Sequence, residues 1–204
     1  MKIFAYLFLT VLLVSCATED DFVQLAIEPI LKDEVASEIT LDIVYVVSSD
    51  NSSKSQYQIN ENNFVSHLNA TYFHRNDIGF VLGDVRTMVN DDLYDLTDNR
   101  GNETRTFLDQ TDDDYNHSRV TVYIMKRSNT VAIAGIGYNQ RALITDEFLY
   151  ESTSPHEIGH ALGLGHSDVE GNIMCQIKPH IRKEYSKQQA DALKVTIERI
   201  NKRN

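Results

Sequence analysis

The sequence predicts an α/β domain in which helices pack against a mixed β-sheet. Residues 41–47 are apolar and β-branched almost throughout, which is typical of a strand buried on both faces. Across residues 60–75, apolar side chains recur at the spacing of an amphipathic helix. Near the C-terminus, Ser186 and Gln189 fit a capping box that precedes a second apolar helical stripe.

Four further strands complete the predicted sheet. They cover residues 78–85, 120–124, 131–138 and 142–145. In the strand at 120–124, Thr121 and Tyr123 alternate with aliphatic residues, which predicts that one face contacts water. In the strand at 131–138, Gly135 and Gly137 would allow another backbone to approach closely.

The first fifteen residues are predicted to be a signal peptide. Lys2 gives a positive start, and an apolar run of twelve residues follows at 3–14, shorter than the roughly 20 residues that span a bilayer as a helix. The sequence Leu-Val-Ser-Cys at 13–16 resembles a bacterial lipobox, which implies cleavage before Cys16 and lipidation of that cysteine. The alternative is an ordinary secretory signal with an incidental cysteine.

If Cys16 is lipidated, residues 16–38 form a tether and the folded domain covers residues 39–204. We therefore expect an extracytoplasmic protein, lipid-anchored to a bacterial membrane. The outer membrane is the favoured location, and the cell surface is the alternative.

The charge and cysteine content exclude several classes of protein. Loss of the first 15 of 204 residues leaves 189, enough for one domain with a sizeable core. It also changes the formal net charge from −11 to −12, because Lys2 is removed. Such an acidic chain is a poor ligand for nucleic acid. Cys16 and Cys175 are the two cysteines, so lipidation of Cys16 would exclude a disulfide framework.

The segment that carries chemistry is residues 156–166, His-Glu-Ile-Gly-His-Ala-Leu-Gly-Leu-Gly-His. His156 and His160 are four residues apart and would share one face of a helix. Both imidazoles could then bind one metal ion, with Glu157 beside them. Zinc accepts such ligands in tetrahedral geometry, and three protein ligands leave a fourth position for water. The alternative is an ordinary amphipathic helix with two surface histidines.

His166 is the predicted third ligand. His166 would lie too far around a continuous helix, but Gly163 can adopt a positive φ and end the helix in a reversal. Met174 follows eight residues after His166. In these residues the sequence resembles the metzincin superfamily of zinc endopeptidases. Ser167 and the short run to Met174 look most like its matrixin branch.

This resemblance implies a twisted five-stranded mixed sheet with an active-site helix, a methionine turn and a C-terminal helix. It implies one catalytic zinc ion, a protein or peptide substrate, and Glu157 as the acid–base group that accepts a proton from water. Met174 would form an apolar floor beneath the ligands. The strand at 131–138 would border the cleft, where an extended peptide could add as another strand.

The sequence departs from related families after the methionine. Gln176 stands where astacin- and serralysin-type relatives have a tyrosine that assists the oxyanion. Cys175 and Gln176 stand where matrixins usually continue with an aromatic residue and a proline. The resemblance therefore does not predict the shape of the primary specificity pocket, whose wall should be residues 177–185. We expect Cys175 to be a free, buried thiol that does not bind the metal.

Residues 90–116 contain nine acidic residues with no EF-hand pattern. Clustered carboxylates can bind calcium, and matrixin-like domains often carry structural calcium. The favoured interpretation of this stretch is a solvated acidic loop.

The sequence thus predicts a monomeric, lipid-anchored zinc endopeptidase. The alternative is a surface lipoprotein that keeps the same fold without turnover and binds a peptide or glycan in the cleft. Glu157 favours the enzyme, because binding alone would not require that carboxylate.

Overall fold

The apolar run that opens the domain forms an inner strand of a five-stranded sheet. The computed structural model describes residues 26–94, 96, 102–126 and 135–203. Its strands are β1 (Ser37–Val47), β2 (Ile78–Val89), β3 (Val120–Met125), β4 (Gly135–Tyr138) and β5 (Arg141–Thr145). Its α-helices are α1 (Glu61–Leu68), α2 (Asp91–Tyr94), α3 (Glu103–Thr111), α4 (Thr153–Ala161) and α5 (Lys187–Asn201).

The sheet is mixed, as predicted. Its strand order is β2-β1-β3-β5-β4. The pairs β1–β2, β1–β3 and β3–β5 are parallel, whereas β4 runs antiparallel to β5. Strand β4 therefore forms one edge of the sheet, and helix α4 packs against both β4 and β5. The predicted fold class is confirmed.

Both faces of the sheet are covered, which explains the continuous apolar pattern of β1. The larger core cluster contains apolar residues of α1, α4 and α5, and the smaller cluster contains residues of α2 and α3. The prediction of a water-facing side on β3 is wrong, because all six residues of β3 are buried. Tyr123 lies in the smaller cluster, with its ring 5.5 Å from that of Phe107 on α3.

The acidic region was predicted to be a solvated loop, but it contains two helices. Helices α2 and α3 both lie within residues 90–116. Leu93 and Phe107 are fully buried beneath them, so each helix is anchored by an apolar side chain within an acidic sequence. Asp95 and Asp98 of this region lie outside the described residues.

The helix predicted across residues 60–75 is continuous but irregular. Helix α1 is followed directly by a π-helical turn at Asn69–Phe73 and a 3₁₀ turn at His74–Asn76. The predicted capping box of α5 is confirmed, because the Ser186 side chain accepts from the Gln189 N–H and the Gln189 side chain accepts from the Ser186 N–H.

The predicted signal peptide and Cys16 lie outside the described residues. The described part of the predicted tether contacts the domain: the Ile30 N–H donates to the carbonyl of Ala70 at 2.7 Å, and the Lys32 N–H donates to His74 Nδ1 at 2.9 Å. Strand β1 begins at Ser37, inside the segment predicted as tether. None of the described helices has the length and apolar character needed to cross a membrane.

Candidate metal centre and active-site cleft

Helix α4 holds the first two candidate ligands and the candidate base. Ile158 and Ala161 anchor the helix in the main core. His156 and Glu157 are buried, while His160 is partly exposed. The Nε2 atoms of His156 and His160 lie 3.2 Å apart, because residues four apart share one face of a helix.

A reversal after α4 brings in the third histidine. Gly163 has φ +93°, a left-handed conformation that glycine adopts at little cost. The Gly163 N–H donates to the His160 carbonyl, and the Leu164 N–H donates to the Gly159 carbonyl, both at 2.9 Å. These bonds close the helix end and place His166 Nε2 3.0 Å from His160 Nε2.

Backbone carbonyls fix the tautomers of the two helix histidines. His156 Nδ1 lies 2.7 Å from the carbonyl oxygen of Ile173, and His160 Nδ1 lies 2.8 Å from that of Leu164. A carbonyl can only accept, so each Nδ1 carries the proton and donates it. Both Nε2 atoms then present lone pairs toward the same point, as metal-binding histidines do.

The three imidazoles fit one zinc ion. The ligand atoms of His156, His160 and His166 all lie within 4.8 Å of one another. Tetrahedral zinc with Zn–N bonds of about 2.0–2.1 Å separates its nitrogen ligands by about 3.3–3.4 Å, close to the spacing observed. Because the protons of His156 and His160 are on Nδ1, no hydrogen bond can join their Nε2 atoms. A cation between them would stabilise this arrangement.

Burial sets the charge state of these groups. It lowers the pKa of His156 to about 3, against a smaller opposing effect of the hydrogen bond to Ile173. Burial also lowers the pKa of His160 below its ordinary value. Both rings are therefore neutral at pH 7, the form that binds a metal. Burial raises the pKa of the Glu157 carboxyl to about 7, and the positive charge of Arg182 partly opposes this shift.

Two glycines of β4 allow the sheet edge to lie directly against Glu157. A Cβ on Gly137 would lie 1.9 Å from the Glu157 carbonyl oxygen, and one on Gly135 would lie 2.5 Å from Glu157 Cγ. The close backbone approach predicted for this strand is thus present, and its partner is the active-site helix. Residues 131–134 of the predicted strand lie outside the described residues.

The matrixin family model matches residues 45–197, a span that includes strands β2 to β5, helix α4 and all three histidines. The chain belongs to the matrixin family. It is therefore a zinc metallopeptidase, and its substrates are proteins or peptides.

A solved structure, that of archaemetzincin, has a similar fold. Archaemetzincin from Methanopyrus kandleri is similar with a TM-score of 0.53 at 14% identity, over 80% of this chain and 97% of that one. Metalloproteinase-II from Bacteroides fragilis gives a TM-score of 0.47 at 16% identity, over 89% of this chain and 59% of that one. No curated protein sequence matches the chain.

The three-histidine group supports zinc in this matrixin. Among the residues that the structure describes, it is the one group of three or more histidine, cysteine or acidic side chains that could hold a metal ion. Calcium binding by the acidic region stays a prediction.

The Met174 side chain packs against helix α4, which carries the candidate ligands His156 and His160. The side chain is fully buried, and a Cβ on Gly159 would lie 2.5 Å from the Met174 sulfur. The Met174 carbonyl accepts from the Ser167 N–H at 2.9 Å, which links the methionine turn to the residue after His166. Gly159 was not singled out from the sequence. Its small size matters because any side chain at this position would clash with the Met174 sulfur.

Cys175 is buried and forms no disulfide among the described residues, so the prediction of a free, buried thiol is confirmed. Its backbone follows Met174 and pairs with Ser167 in an isolated bridge. The thiol does not belong to the group of candidate metal ligands.

The cleft of this matrixin is a cavity of about 430 Å³. It is lined by the three histidines, Glu157, Thr104, Gly135, Ile136, Gly137, Gln176 and Arg182. Arg182 was missed by sequence reasoning, because no spacing rule marks a single arginine within the predicted pocket wall. A larger cavity of about 650 Å³ lies at the C-terminal end of α4, but His160 is the one candidate ligand that lines it. The smaller cavity is therefore the better candidate for the active site.

Proposed function

We propose that this matrixin is an endopeptidase that hydrolyses peptide bonds within proteins, with Glu157 as general base. The zinc ligands in this proposal are His156, His160 and His166. It rests on one observation: a buried carboxylate lines the same cavity as three converging imidazole nitrogens. That arrangement supplies a metal site and a proton acceptor together.

Zinc bound by these histidines would act as a Lewis acid that promotes deprotonation of water and polarises the substrate carbonyl. Glu157 accepts the proton from the attacking water and then donates it to the departing amine. A carboxyl whose burial raises its pKa to about 7 can perform both transfers near neutral pH.

The substrate-positioning element in this proposal is β4. Its backbone lies at the sheet edge and against the α4 backbone at Glu157. An extended peptide that pairs with this edge would pass directly over the base and the metal ligands. The same cavity is lined by residues of β4 and by Gln176 and Arg182, so a peptide paired with β4 would also lie near these two side chains.

The decisive variant is Glu157→Gln, which keeps the size of the side chain and removes the base. With a mixed-peptide substrate, we expect kcat/KM to fall by about 10²–10⁴-fold, while zinc content and melting temperature stay close to those of the wild type. The matched control is Glu151→Gln, the same change at an exposed position just before α4, which should retain activity.

Near-normal cleavage by Glu157→Gln would contradict the assignment of the base. Zinc-loaded wild type that binds peptides without cutting any would instead favour the non-catalytic binding lipoprotein. Products cut only at chain ends would show an exopeptidase.

The proposal places the enzyme outside the cytoplasm, attached to a bacterial membrane through lipidated Cys16. Its support is the apolar run at 3–14 and the lipobox-like sequence that ends at Cys16. Wild type should incorporate labelled palmitate and sediment with membranes, and Cys16→Ser should do neither. Cys175→Ser is the control that should behave as wild type, and equal labelling of the Cys16 variant would refute the anchor.

A further inference from the structure

Arg182 is a buried cation in the wall of the active-site cavity. It follows the 3₁₀ turn at Pro179–Ile181 and is only 8% exposed. Its Nε–H donates to the carbonyl of Cys175 at 2.5 Å. This bond fixes the guanidinium against the methionine turn, while the residue lines the cavity shared by the three histidines and Glu157.

The two terminal nitrogens of Arg182 have no partner among the described residues. Neither forms a hydrogen bond with them or an ion pair with a described carboxylate. Both nitrogens nevertheless remain accessible to solvent, because neither is a fully buried atom without a partner. The Nε bond therefore orients a planar fork whose two Nη groups remain available to a ligand.

A guanidinium in this position is suited to a carboxylate. Its parallel N–H groups match the two oxygens of a carboxylate in a bidentate pair. Burial opposes the charged form of Arg182 and lowers its pKa, yet arginine stays protonated. Arg182 interacts with Glu157 at longer range but forms no ion pair with a described carboxylate. An anionic substrate group in the cleft would therefore compensate its charge more closely.

We propose that Arg182 makes this enzyme select substrates that carry a carboxylate beside the scissile bond. This inference rests on the proposed endopeptidase function and adds its substrate class. The carboxylate can come from an Asp or Glu side chain or from the C-terminus of a short peptide. The chain has a net charge of −11, so its overall field repels acidic peptides, and the selection depends on the local cation.

The test compares peptides that differ in one residue. Terminally blocked peptides carry Glu, Gln or Lys at either side of a fixed scissile bond, and one further Gln peptide has a free C-terminal carboxylate next to it. With zinc-loaded full chain, we expect kcat/KM for a Glu peptide to exceed that for its Gln analogue by about 10- to 100-fold, mainly through KM. A preference shown instead by the free-carboxylate peptide would support selection and identify the terminal source.

Three variants then assign the preference to Arg182. In Arg182→Gln, the ratio of kcat/KM for the Glu peptide to kcat/KM for the Gln peptide should fall to about one. Arg182→Glu should favour the Lys peptide. Lys183→Gln removes a positive charge from the adjacent exposed position and should keep the wild-type preference. Zinc content and melting temperature check that each variant is folded.

Several outcomes would overturn the inference. Wild type that cuts the Glu, Gln and free-carboxylate peptides equally would overturn it and would leave the endopeptidase function standing. An equal loss of kcat for both peptides in Arg182→Gln would show that the arginine acts on the reacting carbonyl rather than on selection. Failure of wild type to cut any peptide would refute the proposed function, and this inference with it.

Discussion

The substitution Gly137→Ala tests how the active-site helix is positioned. The added Cβ would lie 1.9 Å from the Glu157 carbonyl oxygen, 2.7 Å from the carbonyl carbon and 2.9 Å from His160 Cβ. Real Cβ contacts essentially never fall below 3.0 Å, so β4 and α4 must separate by about 1 Å or more. The atoms concerned are mostly backbone, and no rotamer change can relieve the contact.

We expect Gly137→Ala to lower both the stability and the reaction rate. Overpacking of this kind destabilises a protein by about 1–3 kcal/mol. A displacement of about 1 Å between substrate-positioning backbone and catalytic group costs about 10²-fold in rate. Zinc binding should survive, because the ligand rings are held by the carbonyls of Ile173 and Leu164 rather than by β4.

The assay measures melting temperature, zinc content and peptide cleavage for Gly137→Ala beside Gly165→Ala. A Cβ on Gly165 meets no atom within 4 Å, so this control near His166 should change the free energy of unfolding by no more than about 0.5 kcal/mol. Wild-type stability and activity in Gly137→Ala would refute the direct contact between β4 and α4.

Three further predictions concern the metal centre. His160→Ala should lose most of its zinc after dialysis, and full retention measured by atomic absorption would contradict its assignment as a ligand. Cys175→Ser should keep wild-type specific activity with a modest loss of melting temperature, whereas a large gain in activity would reveal an inhibitory thiol. In metal-free protein, the lowered pKa of His156 removes stability as pH falls from 7 to 5, and the raised pKa of Glu157 adds stability over the same range. Each effect changes the free energy of unfolding by about 2 kcal/mol. Between pH 7 and pH 5, Glu157→Gln should therefore lose about 2 kcal/mol of stability relative to wild type, measured by thermal unfolding in the presence of a chelator. Parallel pH profiles of stability for the two proteins would contradict this prediction.

Local spacing made much of the candidate site predictable. The four-residue interval between His156 and His160 determines their common face, and the glycine at 163 is compatible with the left-handed reversal that brings in His166. These relations involve neighbours in the chain, so no knowledge of the tertiary structure is needed to infer them.

Relations between distant segments could not be predicted in the same way. Thr121 and Tyr123 look half-exposed by alternation, but helix α3 covers that face of β3. Helix α3 itself is obscured because its two apolar residues, Phe107 and Leu108, are adjacent and form no helical period among acidic and polar neighbours. The position of Arg182 depends on the irregular path after Met174, which follows neither a helical nor a strand period.

The carbonyl partners of the candidate ligand histidines have a consequence for maturation. Each ring is oriented by a residue that is synthesised after it: Leu164 for His160 and Ile173 for His156. A nascent chain that ends within α4 already contains two of the proposed ligands, but nothing yet fixes their protons or brings in His166. We therefore expect metal loading to begin only once the chain through Met174 has been made and packed. A polypeptide cut short before that point should acquire zinc poorly even if its helix forms.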